Sequence, residues 1–200
     1  MEPLLPMLLT LAAMGAVVLG FRMMLRRPRG VSSEDPPGVR TVAIFAGDDP
    51  EFFRDDRPAK PYIGIRLFQM LCDGLAACGF GIERRRHVQN AQGADCVVGD
   101  RRFTVVLERV EEELAKRWVL GVDFCPRSGA ERRHLALTHQ VFSPPDSPEL
   151  RQLLSAIDGW LKRHRTLSQI AWHRKQDWLA ERTTEPTPGP IGGEELGVGG

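Results

Sequence analysis

The chain has 200 residues, of which 42% are hydrophobic, and its 27 Lys and Arg nearly balance 26 Asp and Glu. That length is enough for one domain of ordinary size with a buried core. The net charge of +1 argues against a partner, such as nucleic acid, that would attract the whole surface of the domain electrostatically.

The first segment of the chain is apolar and carries no charge from position 3 to position 21. Four arginines follow it directly: Arg22, Arg26, Arg27 and Arg29. A bilayer core about 30 Å thick needs roughly 20 apolar residues in a helix, so residues 1–30 are predicted to be a transmembrane anchor with a basic flank beside the lipid headgroups. Because basic residues stay on the cytoplasmic side, we expect the globular domain in the cytoplasm.

A cleaved signal peptide is the alternative for this segment. Such peptides have a positively charged start, a shorter apolar core and small residues at the cleavage site. Here Glu2 precedes the apolar residues, and Met23 to Arg27 is a poor cleavage site. The four cysteines show no C-x-x-C spacing, which is typical of reduced thiols. Two disulfides in an exported domain are the alternative.

Residues 31–40 are rich in Ser, Pro and acidic side chains and are predicted to be a linker. The globular domain is predicted over residues 41–182 and begins with a buried strand at 41–46. Pro61 opens a helix that ends near Gly79. Further strands are predicted at 81–88, 94–98, 102–108, 118–125 and around 135–141.

The last part of the domain has helical patterns. Ser147 and Pro148 have the signature of a helix start, and a stripe of apolar residues follows them. Thr166 and Gln169 fit a capping box, so a second helix is predicted from Thr166; one continuous helix over 147–182 is the alternative. Residues 183–200, rich in Pro and Gly, are predicted to be a disordered tail.

This order of elements predicts an α+β fold behind an N-terminal transmembrane helix. Short connections between the strands favour hairpins over crossovers. We therefore expect a two-layer domain, with one mostly antiparallel sheet of five or six strands and helices on one face.

An acidic loop follows the first predicted strand and is the candidate ligand site. Its carboxylates could bind a divalent cation through oxygen ligands: Asp48, Asp49, Asp55 and Asp56. The alternate spacing of an EF-hand is absent, and Arg54, Arg57 and Lys60 interleave with the acids. A solvated loop is the favoured interpretation, and no metal or cofactor is predicted.

Other chemistry-bearing residues give weaker patterns. His134 and His139 are five apart on a predicted strand and so lie on opposite faces, which does not suit a shared zinc ion. Asp123 and Cys125 share a strand face, and with a histidine they would be the parts of a thiol nucleophile. A single cysteine within a strand is nevertheless typical of a core, so no catalytic residue is predicted.

Basic clusters and tryptophans suggest surfaces. The basic clusters, which could contact lipid headgroups or nucleic acid, are Arg84–Arg86, Arg101–Arg102, Arg132–Arg133 and Lys162–Arg165. Neighbouring residues of a strand point to opposite faces, which disperses this charge. Trp118 and Trp160 fit apolar stripes, whereas Trp172 lies off the main stripe. We therefore predict that Trp172 and Trp178 form a partner-binding face.

Together these patterns predict a membrane-anchored cytoplasmic binding or accessory domain whose partner is another protein and which is not a catalyst. Two alternatives stay open. One is a membrane-tethered hydrolase or transferase that uses the loop from Asp48 to Asp56, and the other is a domain that binds anionic lipid surfaces. Nucleic acid is the least favoured partner.

Overall fold

The computed structural model describes residues 32–53, 63–88, 91–112, 115–126, 128–129, 131, 142–180 and 186–192. The chain divides into two compact units. In the first unit the described residues form a small turn, in which Ser128 and Glu131 exchange two side-chain to backbone hydrogen bonds of 3.0 and 3.1 Å. The second unit comprises residues 32–125 and 142–200, and all the elements below belong to it.

The second unit contains a six-stranded sheet in the order β2-β3-β4-β5-β1-β6, and each neighbouring pair is antiparallel. The strands are β1 (Val42–Gly47), β2 (Gly81–Val88), β3 (Ala91–Val98), β4 (Arg101–Glu112), β5 (Ala115–Phe124) and β6 (Leu167–His173). Strands β2 to β5 form a meander, and β5 pairs with β1, which in turn pairs with β6. The predicted α+β class with an antiparallel sheet is thereby confirmed.

The described residues of this unit also form three α-helices and one 3-10 turn: α1 (Ile65–Ala77), α2 (Pro148–Arg163), α3 (Lys175–Leu179) and the 3-10 turn Pro50–Phe53. Helix α2 begins as the sequence predicts, because the Ser147 hydroxyl accepts a hydrogen bond of 3.1 Å from the Leu150 amide and Pro148 takes the first turn. Helix α1 begins at Ile65, preceded by Gly64 with φ 80°.

The main core lies between one face of the sheet and helices α1 and α2. Alternate strand residues and one stripe of each helix fill it, among them Phe45, Leu107, Leu120, Leu71 and Ile157. Each such fully buried side chain contributes about 1.5–3 kcal/mol by leaving water. A smaller apolar cluster of Val42, Ile44 and Val119 lies on the opposite face of the sheet.

The helix predicted from Thr166 is wrong, because the chain forms strand β6 there. Its backbone pairs with β1 from Leu167 to His173, and the side chains of Leu167 and Trp172 are buried in the core. Gln169 has a positive φ of 53°, which an α-helix does not accommodate. The capping-box pattern was outweighed by burial of these two large side chains.

The segments predicted as linker and tail are partly ordered. Trp172 and Thr187 exchange backbone hydrogen bonds of 2.9 and 3.1 Å, and the amides of Arg40 and Gly192 bond to Pro190 and Gly38 at 2.9 and 3.2 Å. We call residues 186–192 the C-terminal strap. The strap extends the sheet beyond β6, so the prediction of disorder over 183–200 fails for these residues.

The transmembrane anchor predicted over residues 1–30 lies outside the described residues. The same holds for the strand predicted around 135–141. Within the described ranges, no helix combines the length and the hydrophobicity that are needed to cross a bilayer.

Candidate functional site

A buried polar network holds helix α3 against the sheet. The Lys175 side chain is 3% exposed, and its ammonium group donates to three oxygens. These are Val122 O at 3.1 Å, Phe142 O at 3.2 Å and Asp123 Oδ1 at 2.5 Å. Three donors therefore meet three acceptors, which leaves this lysine fully bonded in the folded chain.

Asp35 forms the second half of the network, within the segment that composition assigns to a linker. Its carboxylate accepts four hydrogen bonds: from the Thr41 amide at 2.9 Å, the Thr41 hydroxyl at 2.7 Å, the Ser143 hydroxyl at 2.6 Å and the Lys175 amide at 2.9 Å. The Asp35 amide in turn donates to Gln176 Oε1 at 2.9 Å. A buried carboxylate is stable only when it is bonded in this way.

We call Asp35, Thr41, Asp123, Ser143 and Lys175 the α3-support network. It brings together four segments of chain that are distant in sequence. Asp35 and Lys175 are the most fully bonded of these groups, with four acceptor and three donor contacts to their carboxylate and ammonium groups. The hydrogen bonds of the network tie the start of α3 to β5 and to residues 35 and 142.

Two large apolar side chains lie at the exposed end of α3. Trp178 is 37% exposed and Leu179 is 55% exposed, whereas Lys175 and Asp177, earlier in the same helix, are buried. These are the exposed large hydrophobic residues of the described chain. We call Trp178 and Leu179 the α3 tip. Its ring and aliphatic side chain are therefore presented to solvent by a helix whose base is held at several points.

Trp172 does not belong to this surface, so half of the predicted partner face is wrong. Its side chain is 0% exposed and lies in the core. Its indole Nε1 donates to Asp158 Oδ1 on α2 at 2.9 Å, which satisfies the one polar group of a buried indole. The reason is the strand conformation of β6, which turns Trp172 toward α2.

The acidic loop does not form a cluster among its described members. Asp48 is exposed, and Asp49 Oδ1 accepts from the Glu51 amide at 3.0 Å. Glu51 pairs with Arg66 at 3.4 Å. Asp55 and Asp56 lie outside the described residues. No group of three His, Cys, Asp or Glu side chains in the described chain is placed to hold a metal ion.

The environment of Cys125, the candidate thiol nucleophile, disfavours the thiolate form. Cys125 is buried, and burial raises the pKa of its thiol, an effect that the Thr104 hydroxyl partly offsets. Asp123 is bonded to Lys175 instead, and His134 and His139 lie outside the described residues. Burial also raises the pKa of Cys72 to about 11 and that of Cys96 to about 12. A nucleophilic cysteine needs the opposite shift.

Four arginines of the predicted basic clusters are paired with acids of the same chain. The ion pairs are Arg85–Asp73 at 3.4 Å, Arg102–Glu83 at 2.8 Å, Arg101–Glu149 at 3.6 Å and the close pair Arg86–Asp95. Each pair removes a positive charge that a phosphate would need. Arg22, Arg26, Arg27, Arg29, Arg132 and Arg133 lie outside the described residues.

Sequence reasoning missed Asp35 and Lys175. Asp35 stands among Ser, Pro and Gly residues, and Lys175 stands among other charged residues, so neither has a local pattern that separates it from a solvated side chain. Their roles follow from tertiary pairing over 140 positions. For Leu179 the sequence does give an indication of surface exposure, because this residue directly follows Trp178 of the predicted partner-binding face.

The chain matches no protein-family model, and no curated protein and no solved structure is significantly similar to it.

Proposed function

We propose that this chain is a single-pass, membrane-anchored binding protein that acts without catalysis. The anchor is the apolar segment within residues 1–30, and the arginines that follow it place the domain on the cytoplasmic side. The domain contacts a protein partner of the same membrane through the α3 tip. The partner contributes an apolar pocket that receives Trp178 and Leu179.

The single observation that carries this proposal is an exposed tryptophan–leucine pair on a helix whose first residue is held by buried hydrogen bonds. Large apolar side chains that stay in solvent cost free energy that burial in a partner recovers. Tryptophan is the residue type most enriched at the energetic centres of interfaces. Because the α3-support network already fixes the helix, little conformational entropy is lost when the tip binds.

The alternatives receive less support from the described residues. A hydrolase or transferase needs acids or an activated nucleophile at one place, whereas Asp49 and Glu51 bond locally and Cys125 is buried. A lipid-binding face needs unpaired basic residues, whereas Arg85 and Arg86 of β2 and Arg102 of β4 pair with acids.

A photo-crosslinking amino acid at position 179 of the full chain, expressed in its own cells, tests the proposal. We expect one discrete protein adduct that requires both the anchor and Trp178. Trp178→Ala should lower the adduct yield about tenfold or more, since loss of a central tryptophan costs roughly 2 kcal/mol or more of binding free energy.

The matched control places the same crosslinker at Gln152, which is exposed on α2. That position should give no discrete adduct. The proposal fails if positions 152 and 179 give the same products, if the products at 179 are lipids, or if Trp178→Ala leaves the yield unchanged while thermal melting shows an intact domain.

A further inference from the structure

A small cavity, separate from the α3 tip, lies between β1, β6 and the C-terminal strap. Its volume is about 160 Å³. Apolar walls come from Ile44 and Ala46 of β1, from Ala171 of β6 and from Pro186 of the strap. All of these residues lie in the second unit, and the partner-binding proposal uses none of them.

The cavity lies beside a bulge in β6. Ile44 pairs with Ala171, and Ala46 pairs with Ser168, so two residues of β6 lie opposite the single residue between Ile44 and Ala46. Gln169, the first of these two, has a φ of 53°, an unfavourable conformation for a residue other than glycine. A bulge locally interrupts the pairing of two strands and redirects side chains, and Gln169 of this bulge lines the cavity.

The volume fits a single ring. An engineered cavity of about 150 Å³ with apolar walls binds benzene and stays empty of water otherwise. The cavity described here is of that size, but it is open at one side. A planar apolar ring can therefore enter it, while a polar substituent of the ring stays at the opening.

Among the described residues that line the cavity, the polar side chains are those of Arg117, Gln169 and His173, and none of them is acidic. Arg117 lines the cavity and pairs in register with Ala46, so both side chains share one face of the sheet. His173 also lines it, and burial together with the nearby Arg40 cation lowers the pKa of His173, an effect that Asp177 partly offsets. The imidazole is therefore neutral near pH 7 and can donate a hydrogen bond.

We propose that this cavity is a binding site for a small aromatic carboxylate. The ring packs between Ile44, Ala171 and Pro186, and the carboxylate faces the Arg117 guanidinium at the opening. An arginine can bind a carboxylate through two parallel hydrogen bonds, which fixes the orientation of the ligand as well as its charge. Gln169 also lines the cavity.

Titration of the isotope-labelled full chain in detergent micelles with sodium benzoate, followed by amide NMR, tests this site. We expect saturable shifts at the amides of Ala46, Ala171 and His173. Benzamide, which has the same ring without the charge, should bind at least tenfold more weakly. Arg117→Gln should weaken benzoate binding by a similar factor, while Arg165→Gln, at an exposed position after α2, should leave it unchanged.

A second variant, Ala171→Leu, fills the cavity and should abolish the shifts by steric exclusion. The spectrum of each variant shows directly whether its fold is intact. The proposal is overturned if benzoate causes no saturable shift, if benzamide binds equally well, or if binding is unchanged when Arg117 is replaced in a folded chain. None of these results bears on the α3 tip, so this site and the partner face fail independently.

Discussion

Deletion of residues 1–30 is expected to move nearly all of the protein from the membrane fraction to the soluble fraction. The full chain should stay with membranes at alkaline pH and high salt, because an apolar helix of about 20 residues inserts stably, whereas peripheral contacts are lost under those conditions. Fractionation and blotting of the two forms measure the effect. The α+β domain without the anchor should retain its helix and strand content by circular dichroism.

A matched control keeps the arginines and replaces residues 3–21 with an unrelated Leu and Ala sequence of the same length. This variant should return to the membrane, because hydrophobic length and not exact sequence drives insertion. The anchor prediction is wrong if the shortened form still sediments. It is also wrong if mass spectrometry shows that the cellular protein begins after Leu25, as a cleaved signal peptide requires.

Replacement of Lys175 by methionine is expected to lower the free energy of unfolding by about 3–5 kcal/mol. The ammonium group bonds to Asp123 and to two buried carbonyl groups, and its removal leaves a carboxylate without its counter-charge. For a domain of this size the melting temperature should fall by about 10 °C. Denaturant and thermal unfolding of the purified chain measure both quantities.

The control for this variant is Lys162→Met on α2. Lys162 also pairs with a carboxylate, that of Asp158 at 2.7 Å, but its side chain is 48% exposed. An exposed pair of this kind contributes about 0.3–0.5 kcal/mol, so this variant should unfold almost as the parent does. Equal losses in the two variants would show that the α3-support network does not hold α3 in place.

Much of the fold follows from local patterns. Large apolar residues at every second position, Trp118, Leu120 and Val122, predict β5 because each of them enters the main core. The Ser147–Pro148 signature locates the start of α2 for an equally local reason. These features depend on residues only a few positions apart, and such local patterns can be recognised in the sequence.

The remaining features depend on distant partners. Strand β6 has a capping-box pattern, yet pairing with β1 and burial of Trp172 against Asp158 decide its conformation. The same reason explains why one of the two tryptophans of the predicted partner face is in the core. Asp35 lies in a segment of linker composition, and its role depends on hydrogen bonds from Ser143 and Lys175, which only the folded chain brings close to it. No local rule contains that information.

The proposed function requires the globular domain to lie on the cytoplasmic side of the membrane. Cys78 is the exposed cysteine, while Cys72, Cys96 and Cys125 are buried, so a membrane-impermeant maleimide reports on one position, and Cys78→Ser gives the background. If the domain is cytoplasmic, we expect no labelling of the membrane-bound chain in intact cells and complete labelling of Cys78 after permeabilisation. Full labelling of Cys78 in intact cells would contradict a cytoplasmic domain.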